Sequence, residues 1–222
     1  MPRQLRLPLD RPAFRHRRDF IVSAANSSAV RILDGWPDWH GGVLVLVGPA
    51  GSGKSHLAQD WARQIGARIL DGPPDSPPTE RAVLVEDADR ILDDETLFHL
   101  INAAGADGFS VLLTSRQAPK LWPCALPDLR SRLNALPVAE LSAPDDHVLA
   151  GVLRKLFRER HIVPGDDLIE YLLKRMERSV PAAQALVDRL DEAGDAERRE
   201  INRTLARRIL DTPPASLNLF DS

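Results

Sequence analysis

The 222-residue sequence predicts an α/β protein with a doubly wound parallel sheet, followed by a small all-helical domain. Three observations carry that prediction. GVLVLVG (42–48), AVLVED (82–87) and SVLLTS (110–115) are continuous apolar runs too short for globular helices, the pattern of parallel strands buried on both faces. GPAGSGKS (48–55) stands directly behind the first run and directly before a helical pattern. Beyond Ala143-Pro144 four helical patterns follow one another without an intervening strand signal.

Taken in order, residues 1–12 are a leading peptide. Its QLRLPL segment (4–9) spaces leucines as an edge strand would, but Pro2, Pro8 and Pro12 cannot donate to a ladder, and Arg3, Arg6 and Arg11 keep it wet. The residues leave two readings, a solvated tail or a peptide that docks elsewhere. Residues 13–143 form the α/β domain. Its helix at 54–65 gathers Leu57, Ala58, Trp61, Ala62 and Ile65 on one face, and a helix at 94–104 follows an Asp-rich start suited to capping. The Pro-rich stretch 71–80 reads as a surface connection and VAELS (138–142) as a further strand. Residues 144–211 form the helical domain, with helices expected at 145–159, 166–176, 181–193 and 199–210, and 212–222 are a tail.

Composition narrows the classes of function. With 43% hydrophobic and 27% charged residues the chain can fill a core. No apolar run reaches about 18 residues, so no membrane span is expected, and no apolar stretch backs the N-terminal arginines as a secretory signal would require. A single cysteine, Cys124, excludes an internal disulfide framework and fits a reducing cytoplasm. The net charge of −3 is uneven: residues 1–20 hold six arginines and two aspartates, net +4, leaving 23 basic and 30 acidic residues, net −7, in the rest. An acidic body is a poor stand-alone duplex-DNA binder, because that affinity rests on neutralising phosphates.

The sharpest motif is GPAGSGKS, which matches the phosphate-binding pattern G-x4-G-K-S in the strand–loop–helix context it needs. Its glycines let backbone N–H groups converge on phosphate oxygens, and the following helix adds the positive end of its dipole. The expected cofactor is ADP or ATP with Mg²⁺. Gly48, Pro49, Ala50, Gly51, Ser52 and Gly53 would form the cradle, with Lys54 on the β- and γ-phosphates, Ser55 on the metal, and His56 alongside. The strand end VEDAD (85–89) supplies Glu86 and Asp87, one carboxylate for the metal's waters and one to polarise an attacking water, although either could merely cap a helix. Thr114 and Ser115 end the third strand, as γ-phosphate sensors or as ordinary strand-end polar residues. In DLRSRLNALP (128–137), Arg130 and Arg132 are each either solvated or poised to reach a phosphate, since a guanidinium forks onto phosphate oxygens.

Together with LFHLINAAGADGFSVLLTSRQAPK (97–120), LRSRL (129–133) and HIVPGDDLIEYLLKRM (161–176), these segments resemble, over roughly 14–211, the AAA+ core of the bacterial replication initiator DnaA. An initiator carries a DNA-binding domain of about 100 residues beyond the lid, whereas DTPPASLNLFDS follows the last helix here, so a relative without that domain is expected. The leading peptide is similar to the clamp-binding motif Q-L-x-L-P-L of the Hda family, AAA+ regulatory inactivators of DnaA, matched by Gln4, Leu5, Leu7, Pro8 and Leu9. The resemblance implies a bacterial cytoplasmic protein that binds the DNA polymerase sliding clamp, meets DNA through that clamp, can form homo-oligomers, and stimulates hydrolysis of DnaA-bound ATP.

It also implies residue roles. Arg132 becomes an arginine finger offered in trans to DnaA, and Asp19, Phe20, Ile21 and Val22 line the adenine pocket. Several positions depart from the family. Glu86 replaces an Asp, Arg116 stands where the initiator has an Asp, and Pro181 takes the place of a lid arginine that senses phosphate, with Arg178 offset by about one helical turn. Weak self-hydrolysis and tight ADP binding follow from the missing lid cation. SLNLF (216–220) is similar to a short clamp-binding form, or is a frayed tail. Two competitors remain: a DnaC-type helicase loader acting on single-stranded DNA, and an origin-recruited partner that helps DnaA load without triggering hydrolysis. The first needs aromatic and basic groups along a groove, and the 5% aromatic content shows no such interleaving.

Overall fold

The computed structural model describes residues 17–74, 79–104, 108–197 and 199–211. The clamp-motif residues Gln4, Leu5, Leu7, Pro8 and Leu9 and the SLNLF segment lie outside the described residues. Five parallel strands form one sheet: β1 (Val43–Val47), β2 (Arg68–Leu70), β3 (Ala82–Val85), β4 (Ser110–Ser115) and β5 (Val138–Glu140), in the spatial order β2-β3-β4-β1-β5. Every residue of β1, β3 and β4 is buried. That explains the unbroken apolar runs, because a parallel sheet covered by helices on both faces has no wet side to alternate toward. Neither β2 nor α1 (Ser27–Asp34) was expected; β2 is three residues long and exposes Ile69, too short to show a period.

Side chains on the two sheet faces build two cores. On one face Leu44, Leu46, Leu84 and Leu112 pack against α1 and α2 (Lys54–Ile65), where Leu57, Ala58 and Trp61 point inward and Trp39 stacks on Trp61 at 5.2 Å. On the other, Val45, Val83, Val111 and Leu113 pack against α4 (Asp94–Ala103) and α5 (Pro127–Ala135), while α3 (Ala88–Ile91) follows β3. Asp93 caps α4 by accepting from the Thr96 N–H at 2.7 Å.

The helices beyond the sheet are α6 (Asp146–Glu159), α7 (Asp166–Leu173), α8 (Val180–Glu197) and α9 (Arg203–Asp211). They enclose a third core around Leu153, Phe157, Leu172, Val187, Leu190 and Leu205. Among the described residues no helix is long and apolar enough to cross a membrane.

The described chain begins with a fastening. The backbone N–H of Arg17 donates to Asp60 Oδ1 on α2 at 3.0 Å, and its guanidinium donates to both carboxylate oxygens of Asp34 on α1 at 2.8 and 2.6 Å. Asp60, an acid in mid-helix, is only 4% exposed because it also accepts from Gln64 at 2.6 Å.

Candidate functional site

The loop 48–53 leaves the carboxyl end of β1 in the middle of the sheet and turns into α2. Two of its glycines are in the left-handed region, Gly51 at φ +73° and Gly53 at φ +98°, a conformation that costs any residue with a Cβ. Packing demands glycine there as well. A Cβ on Gly51 would sit 2.8 Å from Pro181 Cδ and Ser179 Cβ, and one on Gly53 would sit 2.8 Å from Phe20 Cε2. The loop is thus pressed between the segment before α1 and the start of α8, and the Val180 N–H points to Gly51 O at 3.5 Å.

Lys54 opens α2 and is 8% exposed, its ammonium donating to Gly48 O at 2.7 Å and Pro49 O at 3.0 Å. Burial pushes this amine below its usual range. The charge of Asp87 pulls the other way, Arg116 adds to the push, and Asp89 and Glu86 oppose it. The acids belong to the end of β3, beside the loop. Glu86 accepts from Gln59 Nε2 of α2 at 2.6 Å, which fixes its carboxylate. Asp87 has φ +48°, a left-handed conformation rare without glycine, and its N–H donates to Thr114 Oγ1 at 3.0 Å. Held backbone strain of this kind gathers at functional sites. Thr114 therefore positions Asp87, while the fully buried Ser115 donates its hydroxyl to Gln117 O at 2.6 Å.

Asp89 was not singled out from the sequence. Its Oδ1 is buried with no hydrogen-bond partner among the described residues, as is Ser52 Oγ in the loop. Burial raises the Asp89 pKa, and the neighbouring Asp87 charge adds to the rise. These are donors that suit a metal–phosphate ligand. Ser55, Glu86 and Asp87 would serve a Mg²⁺ ion, which binds few protein ligands and completes an octahedron with phosphate and water. Consistent with that, the described residues contain no cluster of three or more His, Cys, Asp or Glu able to hold an ion alone.

A cavity of about 260 Å³ opens against the loop. Asp19, Phe20 and Ile21 line one wall, the run Gly51–His56 the floor, and Pro144, Val148, Val152, Val180 and Pro181 the lid side. Phe20 meets His56 edge to face at 5.3 Å. Asn26, buried, donates to Ile21 O and accepts from the Ser23 N–H, both at 2.9 Å, and so sets the turn that presents Ile21. Lys155 of α6 pairs with Asp19 at 3.1 Å and ties this wall to the lid. Burial alone would raise the Asp19 pKa, but the hydrogen bond and charge of Lys155 outweigh it and the carboxyl lies below its usual value.

Of the expected site residues, Gly51, Ser52, Gly53, Lys54, Ser55, His56, Phe20, Asp19 and Ile21 come together on this cavity. Gly48, Pro49 and Ala50 enter the same loop, but Val22 does not line the cavity and is 47% exposed. Val148 and Val152 read in the sequence as one apolar helix face; here they line the cavity.

The three arginines separate cleanly. Arg130 is committed, donating to Lys120 O at 3.1 Å and Trp122 O at 2.6 Å. Arg178 turns from the cavity to Asp146 Oδ1 at 2.7 Å and Pro144 O at 3.3 Å. Arg132 is exposed on α5, does not line the cavity, and makes no hydrogen bond or ion pair among the described residues.

No family model matches the chain. Among solved structures, domain III of the Thermotoga maritima replication initiation protein DnaA aligns over 90% of this chain and 96% of its own, with TM-score 0.72 and 17% identity. A variant of Thermotoga maritima RuvB aligns over 89% of this chain and 71% of its own, with TM-score 0.67 and 16% identity. The replication initiator DnaA bound to AMPPCP and single-stranded DNA aligns over 82% and 67%, with TM-score 0.63 and 18% identity. The chain has the AAA+ P-loop fold, of the kind seen in DnaA domain III and RuvB.

Proposed function

We propose that this protein is a nucleotide-binding regulator of replication initiation, held on the DNA polymerase sliding clamp by Gln4, Leu5, Leu7, Pro8 and Leu9, that stimulates hydrolysis of ATP carried by a DnaA-type initiator. ADP or ATP with Mg²⁺ occupies the cavity beside loop 48–53. Arg132 is the group offered to the partner's nucleotide, where an arginine supplied in trans neutralises charge as the phosphoryl group transfers. The observation that carries this reading is the contrast between Arg130, tied to two carbonyls, and Arg132, exposed and without a partner among the described residues. An arginine away from its own cavity has no use there and is available to another molecule's site.

The reading extends to the chain's own turnover. Pro181, not a cation, faces the phosphate loop from the lid, so γ-phosphate charge meets no lid counter-charge and intrinsic hydrolysis is slow. A helicase-loader role finds less support. Trp39, Trp61 and Trp122 are buried and Trp36 donates its indole N–H to Ser110 Oγ at 3.1 Å, leaving no tryptophan as a platform for bases.

The test is hydrolysis of initiator-bound ATP in the presence of DNA-loaded clamp. Arg132→Ala abolishes stimulation while clamp binding persists, and Gln4→Ala abolishes both. Normal stimulation by the two variants refutes the mechanism.

A further inference from the structure

The lid side of the cavity is apolar, and its nearest arginine, Arg178, is turned to Asp146 and Pro144. A triphosphate held on loop 48–55 would carry more negative charge than a diphosphate, and something on this chain must meet the difference if the two are to be told apart. The sheet supplies a candidate. In the parallel pairing of β1 with β4, Val47 is level with Ser115, and the Gly48 N–H donates to Ser115 O at 3.3 Å. Arg116 is the next residue along and therefore emerges level with Gly48, where the phosphate loop begins. It is exposed, and it makes no hydrogen bond or ion pair among the described residues.

We infer that Arg116 is the specificity-determining cation of this site, reading the γ-phosphate of a nucleoside triphosphate from the end of the sheet instead of from the lid. Three observations support this assignment. Arg116 stands beside the loop by strand register. Its charge is felt at both Lys54 and Asp89, the two buried ionisable groups of the phosphate edge, so it lies within electrostatic reach of where phosphate charge would reside. And the other arginines near this end are engaged, Arg130 by carbonyls and Arg178 by the hinge before α6. A guanidinium suits the task because its planar fork takes two phosphate oxygens at once and its charge is permanent. Discrimination between triphosphate and diphosphate would then reside in the rigid sheet, and lid closure over the base would proceed the same way for either nucleotide.

The inference rests on loop 48–55 as a phosphate cradle but not on the clamp or the initiator. Dissociation constants for Mg-ADP and for Mg-AMPPCP, a triphosphate with a non-hydrolysable β–γ link, are measured by calorimetry on the full chain. In Arg116→Ala the AMPPCP affinity falls roughly ten- to a hundredfold, the range of a charge-assisted hydrogen-bonded pair, while ADP affinity stays within about twofold. Arg116→Lys, which keeps the charge and loses the fork, recovers part of the loss. Arg178→Ala leaves the ratio of the two affinities unchanged. If Arg116→Ala leaves that ratio at its wild-type value, whether both affinities fall together or neither moves, the inference is overturned and the nucleotide site stands. If the wild-type chain binds neither nucleotide, the cradle itself is refuted.

Discussion

The two sides of the nucleotide cavity are made differently. The sheet side is charged and tightly bonded: Lys54 is held by two carbonyls, Glu86 by Gln59, and the strained backbone of Asp87 by Thr114. The lid side is apolar and closes by shape, with Pro181 and Ser179 filling the space that glycine leaves over the loop. The contrast teaches that chemistry and closure have been assigned to separate parts. The sheet can fix phosphates and metal without the lid, and the lid can cover a nucleotide without contributing charge.

The largest test of this division is Lys54→Ala. Loss of a buried ammonium beside the loop should lower nucleotide affinity about a hundredfold or more, read by calorimetry, because charge-assisted bonds to phosphate have no replacement. An affinity within a few-fold of wild type would show that the sheet side is not where the phosphates bind. Next in size is Phe157→Ala, which removes a fully buried ring from the lid core. Its expected cost is about 3–5 kcal/mol of stability in denaturant unfolding. A loss confined to α6–α9, with the sheet retaining its own transition, would sharpen the separation; one shared cooperative transition would blur it.

A smaller effect is expected at Asp89. Its pKa is raised, so ionisation above the ordinary aspartate value of 3.8 costs the folded state. Asp89→Asn should therefore stabilise the nucleotide-free protein by about 1 kcal/mol at neutral pH, with the gain shrinking as pH falls toward 3.8. A destabilised variant would mean the carboxylate is paired after all. Smallest is Asp19→Asn, which cuts the bridge between cavity wall and lid. The Asp19 pKa is lowered, so the pair's stabilisation is present above 3.8 and disappears as pH drops through the lowered value. With the two side chains 26% and 37% exposed, the cost at neutral pH should stay below about 1 kcal/mol.

Most of the sheet was legible because burial on both faces leaves an uninterrupted apolar run in β1, β3 and β4, and because glycines at fixed spacing announce a phosphate loop. β2 escaped notice since three residues of an edge strand show no period. The start of α8 is a subtler case. Val180 and Pro181 open the helix, as proline does well at a first turn, yet what matters functionally is that they rest on Gly51, a contact between positions 130 residues apart that no local pattern encodes. Asp60 and Asp89 illustrate the same limit. A carboxylate in a helix reads as a solvated face, and only the assembled structure shows one caught by the Arg17 backbone and the other stranded beside Asp87. The choice between Arg130 and Arg132 was likewise open from spacing alone, because it depends on which guanidinium finds the carbonyls of the loop after β4.

The attachment of Arg17 to Asp60 and Asp34 has a mechanical consequence. Any tension arriving along residues ahead of it is shared between two helices before it can reach Phe20, only three positions further on. The fastening acts as a strain relief does on a cable: whatever tugs on the leading peptide, the wall that receives the base keeps its shape.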